Sequence, residues 1–506
     1  MKNRIRILAT SDIHGCIFPR HDTDGTEANH GIARVKTLID ALKDENTILV
    51  DNGDTLQGSA IQSYHYSLHP EEPSPMTRAM AELGYDYINL GNHDFDYGPD
   101  ALAHHLSTLS APCITSNVSY RGEPLGVSYV IREVAGKKLA LFGVTTHGQS
   151  PAYVKGQRKH FKFRNAFESA KKTVETIRRL EKADYIIGLY HGGFERDVTT
   201  GVLNEEETGE NQAYRMIREI DGLDVLITGH THTELSGSAF NTTYAQPASN
   251  GESIICIDIY TDTGVIESRI LKNDAPADDS ILELLKQEAQ DCETWLDTSL
   301  GHTSMDLLIS DPFTARFRKS QAVTFLNRVM LEASGADIAA VSLPSEATGF
   351  HPEITMRDLF HTCPFDNTLV VKQLSGKDLR AYLEQTADYW AIDVETVIVN
   401  PSYLSPKARP YYYDMADGIE YTIKVSEDPG NRIVELTRNG VPIEDDDTFT
   451  ICVSSYRASG GGNYDMIRSA PTVKVIPESM RELVRKAITA SGYISFPPSE
   501  NIIVKR

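Results

Sequence analysis

The 506-residue sequence predicts an α/β domain of layered β-sheets flanked by helices, followed by a smaller α+β domain. Three observations carry that reading. Short apolar runs alternate with amphipathic ones through the first half, as in strand–helix–strand units. Five of those runs end in groups of Asp, Asn and His, and ligands in such sheets bind beyond the carboxyl ends of the strands. The alternation stops at residues 273–279, a polar stretch containing Pro276, and a mixed pattern follows.

In chain order, residues 4–9 read as a first strand, ending at Thr10-Ser11-Asp12-Ile13-His14-Gly15. Ile32, Val35, Leu38, Ile39 and Leu42 then recur at helical spacing. Residues 47–50 form a second strand, ending at Asp51-Asn52-Gly53-Asp54. A helix around 75–83 leads into a strand at 87–90, which ends at Gly91-Asn92-His93-Asp94-Phe95-Asp96. Strands at 138–145 and 185–190 follow, separated by a helix near 165–182. The second of these ends at His191-Gly192-Gly193, and a strand at 224–227 ends at Gly229-His230-Thr231-His232. Residues 253–260 and 264–271 close the domain as β-structure. The reading therefore places a first domain at 1–274. A linker helix follows at 275–299, with Ile281, Leu284, Leu285, Glu288 and Trp295 on one mostly apolar side. The second domain spans 300–506. Its helices lie near 321–332 and 376–386, and its strands near 338–342, 368–374, 419–425 and 448–453. Gly460-Gly461-Gly462-Asn463 forms a loop where backbone can approach a ligand closely.

The net charge is −22, from 49 basic and 71 acidic residues. A polynucleotide or an anionic membrane would call for a basic face, so both are excluded as partners. A small anionic substrate stays open, because bound metal ions reverse the local charge. The six cysteines are scattered without a CxxC pair and read as free thiols. No apolar run approaches the ~20 residues that span a bilayer, and the segment after Met1 is too short and too charged for a signal peptide. A cytoplasmic monomer is the expectation.

The strand ends carry the chemistry. Asp12 and His14 are one residue apart, so on an extended chain they point to the same side. His230 and His232 repeat the spacing, and Asp54, Asn92 and His191 complete a set of seven. Two divalent ions ~3.5–4 Å apart need about this many oxygen and nitrogen ligands, with one carboxylate bridging. Asp54, the carboxylate directly after Gly53, is the natural bridge. The donor set suits Zn, Mn, Fe or Co. His93 titrates near neutral pH, and Asp96, three residues on, is placed to orient it.

These blocks resemble the calcineurin-like metallophosphoesterases: Asp12-x-His14, Gly53-Asp54, Gly91-Asn92-His93-Asp94, His191-Gly192-Gly193 and Gly229-His230-x-His232. Pro364-Phe365-Asp366-Asn367-Thr368-Leu369, Ser375-Gly376-Lys377-Asp378-Leu379 and Tyr456-Arg457-Ala458-Ser459-Gly460-Gly461-Gly462 resemble the second domain of the 5′-nucleotidase family. The resemblance implies a layered α/β metallophosphoesterase domain plus a substrate-binding domain. It implies that Asp12, His14, Asp54 and His232 hold one metal, and that Asp54, Asn92, His191 and His230 hold the other. It further implies in-line attack on phosphorus by a water-derived nucleophile. His93 would stabilise the developing charge or assist the leaving group, oriented by Asp96. It also implies a nucleobase stacked between two aromatics, which by position match Tyr413 and Tyr456, and closure of the second domain over the first.

Two departures bear on substrate. The family's arginine-bearing block early in the second domain is matched by residues 341–350, which hold no arginine, and Gly462 stands where the family's glycine loop carries an Asp for the ribose hydroxyls. Both differences bring the chain closer to the 2′,3′-cyclic-nucleotide 2′-phosphodiesterase/3′-nucleotidases. Residues 51–59, 90–98 and 413–421 and the run Ser455-Tyr456-Arg457-Ala458 resemble that branch. A phosphate on the ribose face leaves no room for a carboxylate gripping both hydroxyls. The alternatives are a 5′-nucleotidase or nucleotide-sugar hydrolase on the same scaffold and, from another class, a non-catalytic nucleotide-binding module.

Overall fold

The computed structural model describes residues 4–506 except 23–24, 148–159, 205–206, 346, 366 and 405–407. Glu346 and Asp366, members of two of the stretches quoted above, lie outside the described residues. The chain divides into two compact units, Met1–Glu293 and Thr294–Arg506. The division falls within helix Lys286–Leu296, which is separated from helix Asp279–Leu284 by Leu285, so the expected single linker helix is two. Leu285 has non-helical backbone (φ −113°, ψ 11°) and a fully buried side chain.

The first unit holds two mixed sheets. One orders Val265–Lys272, Ser253–Tyr260, Arg4–Thr10, Thr47–Asp51 and Tyr87–Ile88, the last three parallel. The other orders Leu235–Ala239, Thr242–Gln246, Val225–Ile227, Tyr185–His191, Lys137–Thr145 and Tyr129–Val134, with its four central strands parallel. Side chains alternate across each strand. Ile5, Ile7 and Ala9 of the first sheet therefore share one core with Leu139, Leu141, Ile187 and Leu189 of the second. The intervening residues of the second sheet, Ala140, Phe142, Val144 and Tyr190, pack on helices Ala166–Leu180 and Ala213–Glu219. Parallel strands buried on both faces read as continuous apolar runs, which is why their ends were visible in sequence. Each parallel strand needs a crossover, so every carboxyl end delivers its loop to the same edge of its sheet.

The second unit is built on a five-stranded sheet ordered Asp414–Asp417, Ile338–Ser342, Thr448–Ser454, Thr368–Ser375 and Thr472–Ser479. A four-stranded sheet joins Ile433–Arg438, Glu420–Lys424 and the C-terminal Ile502–Lys505. Helices Gln321–Ser334, Gly376–Ala387 and Met480–Ser491 accompany them. Lys319, fully buried, ties the C-terminal segment to the five-stranded sheet through Asp417 Oδ1 at 2.5 Å and Ser499 Oγ at 3.1 Å. Among the described residues no helix is long and apolar enough to cross a membrane.

Candidate active site

Five loops, each following a parallel strand, converge with the seven candidate ligands. Asp12 (φ 57°), His14 (52°), Asp54 (56°), His230 (72°) and His232 (54°) all lie in the left-handed region. Side chains other than Gly rarely adopt it, at about 1–3 kcal/mol each. Dense local bonding holds them there. The amides of Asp12, His14 and Gly15 donate to the carbonyls of Gly53, Asp54 and Thr55 at 2.8–2.9 Å. Asp94 accepts four amides, from Gly91, Asp54, Thr55 and Leu56, at 2.8–3.0 Å. Gly53 and Gly91 interlock so closely that a Cβ on Gly53 would lie 2.0 Å from the Gly91 nitrogen. Only glycine permits that approach, and it brings Asp54 beside Asn92.

Two triads result. Ligand atoms of Asp12, His14 and His232 lie within 4.8 Å of one another, as do those of Asp54, His191 and His230. Asp54 stands between them, its Oδ2 3.1 Å from His191 Nε2 and 3.9 Å from His14 Nε2. His14 Nδ1 faces the Gln57 carbonyl and His191 Nδ1 that of Asn52, at 2.9 and 2.8 Å. Those bonds take the Nδ1 protons and leave Nε2 lone pairs facing inward.

Three observations show that these residues fit a pair of cations. The Nε2 atoms of His14 and His232 face each other at 3.0 Å. Burial, then the neighbouring His232, pushes His14 down to about 4, so its second ring nitrogen resists protonation. Asn92 Oδ1 is buried with no hydrogen-bond partner among the described residues, and a buried orphan acceptor of this kind calls for an ion. The pocket also draws positive charge: against the downward push of burial, Asp54 lifts His191 to about 9.

His93 belongs to neither triad. Its ring lies 5.7 Å from that of His14, and its Nδ1 is 2.7 Å from Asp96 Oδ2. Burial lowers its basicity, but Asp96 and Asp54 outweigh it and raise His93 to about 10. The imidazolium is therefore held beside the triads and oriented by Asp96.

The roles of two residues escaped the sequence reading. Asp94 is the acceptor that organises the Asp54 loop. Glu210 places Oε1 2.8 Å from His230 Nε2, which leaves Nδ1 of that ring for a metal. The Glu210 carbonyl is in turn anchored by the hydroxyls of Thr146 and Tyr190. No spacing links residues 210 and 230, so nothing local could have announced the contact.

The second unit corrects the expectation for Tyr413. Its side chain is 0% exposed, stacked on Tyr389 with ring centroids 5.0 Å apart and edge-on to Trp390 at 5.2 Å. It is core, and no base can stack on it. The aromatic beside Tyr456 is instead Tyr411, at 6.3 Å and 74°. The glycine loop serves its own chain. A Cβ on Gly461 would lie 2.5 Å from the Tyr456 ring, one on Gly462 2.4 Å from Arg457 Nη1, and one on Gly460 2.9 Å from Arg468. Asn463, at φ 63°, is exposed.

The sheet order, the strand-end triads and the helix-backed layers define a metallophosphoesterase. The calcineurin-like phosphoesterase family matches over residues 5–234 and the 5′-nucleotidase C-terminal domain over residues 299–469. The chain belongs to the calcineurin-like phosphoesterases that carry a 5′-nucleotidase C-terminal domain, and it is a phosphoester hydrolase. Members use a dinuclear divalent metal site. The trifunctional nucleotide phosphoesterase YfkN of Bacillus subtilis is 26% identical over 92% of this chain, which spans 36% of that protein's length. The 2′,3′-cyclic-nucleotide 2′-phosphodiesterase/3′-nucleotidase of Yersinia enterocolitica is 26% identical over 90% of this chain and 81% of its own. A solved Staphylococcus aureus structure, of a protein provisionally called a 5′-nucleotidase and complexed with α-ketoglutarate, superposes with a TM-score of 0.89. It has 29% identity and covers 99% of this chain and 100% of its own.

Proposed function

We propose that the protein hydrolyses phosphoesters of nucleotides, with 2′,3′-cyclic and 3′-nucleotides as its preferred substrates. Two divalent ions held by Asp12, His14, Asp54 and His232, and by Asp54, Asn92, His191 and His230, would supply Lewis-acid polarisation of the phosphate and a water-derived nucleophile. Zn, Mn, Fe or Co fits the donors. The remaining work falls to the chain itself. Asp96 fixes the His93 ring through Nδ1, and Nε2 of His93 gives its proton to the leaving ribose oxygen. Asp94 and the interlocked Gly53 and Gly91 keep Asp54 and Asn92 in place throughout.

The observation that carries the substrate preference is Gly462. Its φ of 78° and the 2.4 Å between a built Cβ and Arg457 Nη1 leave no space for the carboxylate that would grip the 2′ and 3′ hydroxyls of a 5′-nucleotide. The alternative, a 5′-nucleotidase or nucleotide-sugar hydrolase, draws on the Staphylococcus aureus likeness. Purified, metal-loaded protein offered 2′,3′-cyclic AMP, 3′-AMP, 5′-AMP and UDP-glucose decides between them. The expected ranking of kcat/KM puts the first two highest, and 5′-AMP above the cyclic substrate would reverse the assignment. A cytoplasmic setting is proposed on six cysteines scattered through a long sequence without a CxxC pair.

A further inference from the structure

We infer that the buried Arg457–Asp414 pair is a positioning device that sets Tyr411 against Tyr456 as the wall and floor of a nucleobase cleft. This rests on the nucleotide reading above. The Arg457 guanidinium is 2% exposed and bonded on every side. Nε donates to Asp414 Oδ2 at 2.6 Å, and Nη2 to Asp414 Oδ1 at 2.9 Å. Nη2 also reaches the Tyr411 carbonyl at 2.8 Å, while Nη1 donates to the Gly461 carbonyl. One planar group thus fastens the carbonyl of one aromatic residue and the backbone on which the other aromatic ring rests.

The surroundings lock that group. Tyr382 donates its hydroxyl to Asp414 Oδ2 at 2.6 Å. The Tyr464 ring lies 4.0 Å from the guanidinium carbon, and its hydroxyl donates to the Tyr412 carbonyl at 2.6 Å. Gln385 Nε2 holds the carbonyls of Gly462 and Asn463 at 3.0 and 3.1 Å. Within this frame Tyr456 remains 38% exposed. Its ring offers a face to a base, and Tyr411, 74° away, closes one side.

The buried pair is a costly way to build a core, since apolar residues of similar volume often stabilise as well. What apolar residues cannot do is hold two carbonyls at a fixed separation. Arginine suits this better than lysine because its donors form a rigid fork, whereas an ammonium is a single point. Arg457→Lys keeps the charge opposite Asp414 and loses the span between Tyr411 and Gly461.

The test uses the full-length, metal-loaded protein and two readouts, steady-state kinetics on 2′,3′-cyclic AMP and binding of adenosine by calorimetry. Arg457→Lys is expected to raise KM about tenfold with a smaller change in kcat, and to weaken adenosine equally, as partial loss of one base stack would. Tyr456→Ala should do the same, and the double variant should be little worse than either single one, because both remove the same interaction. A purely structural role predicts additive effects, and additivity, or an unchanged KM in Arg457→Lys, overturns the inference. If Arg457→Lys does not fold, Asp414→Asn/Arg457→Gln removes both charges together and is read against Tyr456→Ala in the same cycle. Wild-type protein that hydrolyses nucleotides while the cycle is additive refutes only the positioning role. Wild-type protein that neither hydrolyses nucleotides nor binds adenosine refutes the functional reading with it.

Discussion

In the first unit, five of the candidate ligands themselves occupy left-handed backbone. In the second, the left-handed positions around the aromatic pair belong to Gly460, Gly462 and Asn463, while Tyr411 and Tyr456 stand on ordinary backbone. The difference reflects what each site must hold. A metal cluster dictates the residue type at each position, so strain falls on Asp and His and is offset by a ring of amide bonds. An aromatic cleft dictates only the separation of two rings, so glycines absorb the awkward backbone and a buried ion pair sets the distance. Strain in one site is tied to chemistry and in the other to spacing.

That contrast is broken most severely by Asp54→Asn. If Asp54 serves both triads, the variant should lose at least about a thousandfold in kcat and bind fewer than two equivalents of metal, measured by elemental analysis after dialysis. Full metal content with normal turnover would remove Asp54 as the bridge. Asp94→Ala tests the ring of amide bonds. Leaving buried amides without an acceptor costs about 1–3 kcal/mol each, so the first unit should melt at lower temperature and metal affinity should fall with it. The second unit answers to a different change. Tyr413→Ala should destabilise by about 3–5 kcal/mol, as expected for a large core aromatic, while KM for the folded fraction stays within twofold. A raised KM would return Tyr413 to the ligand face.

The same contrast explains how much could be read from the sequence. Asp12, His14, Asp54, Asn92, His191, His230 and His232 each lie at or just beyond the carboxyl end of a short, mostly apolar parallel strand, so local pattern announced them. The second site depends on packing between distant segments. Tyr413 and Tyr411 lie two apart and look equivalent in sequence. Tyr389 and Trp390, more than twenty residues earlier, cover one and not the other. Helices Ala60–Leu68 and Gly98–Thr108 passed unread because His65 and His105, both buried, interrupt the apolar stripe. The bend at Leu285 passed unread because apolar spacing continues through it.

Glu210 gives the smallest and most discriminating effect. Its Oε1 lies 2.8 Å from His230 Nε2, from a loop that carries no motif. Carboxylates in that position fix the tautomer and orientation of a ligating imidazole, and losing one typically costs about 10–100-fold in metal affinity or activity. Glu210→Gln retains an acceptor oxygen and removes the charge, so it should fall near the lower end. The expected result is about tenfold weaker binding of one Mn equivalent by titration of the metal-free protein, with the other unaffected. Glu210→Ala, which also frees the ring to rotate, should weaken the same equivalent further. Only the triad of Asp54, His191 and His230 contains the affected ring, so equal weakening of both equivalents would mean that Glu210 acts through the general field of the cleft. An unchanged isotherm in both variants would mean that His230 is held by its strained backbone alone, and the strain described in the first unit would then suffice to orient a ligand without help from a second carboxylate.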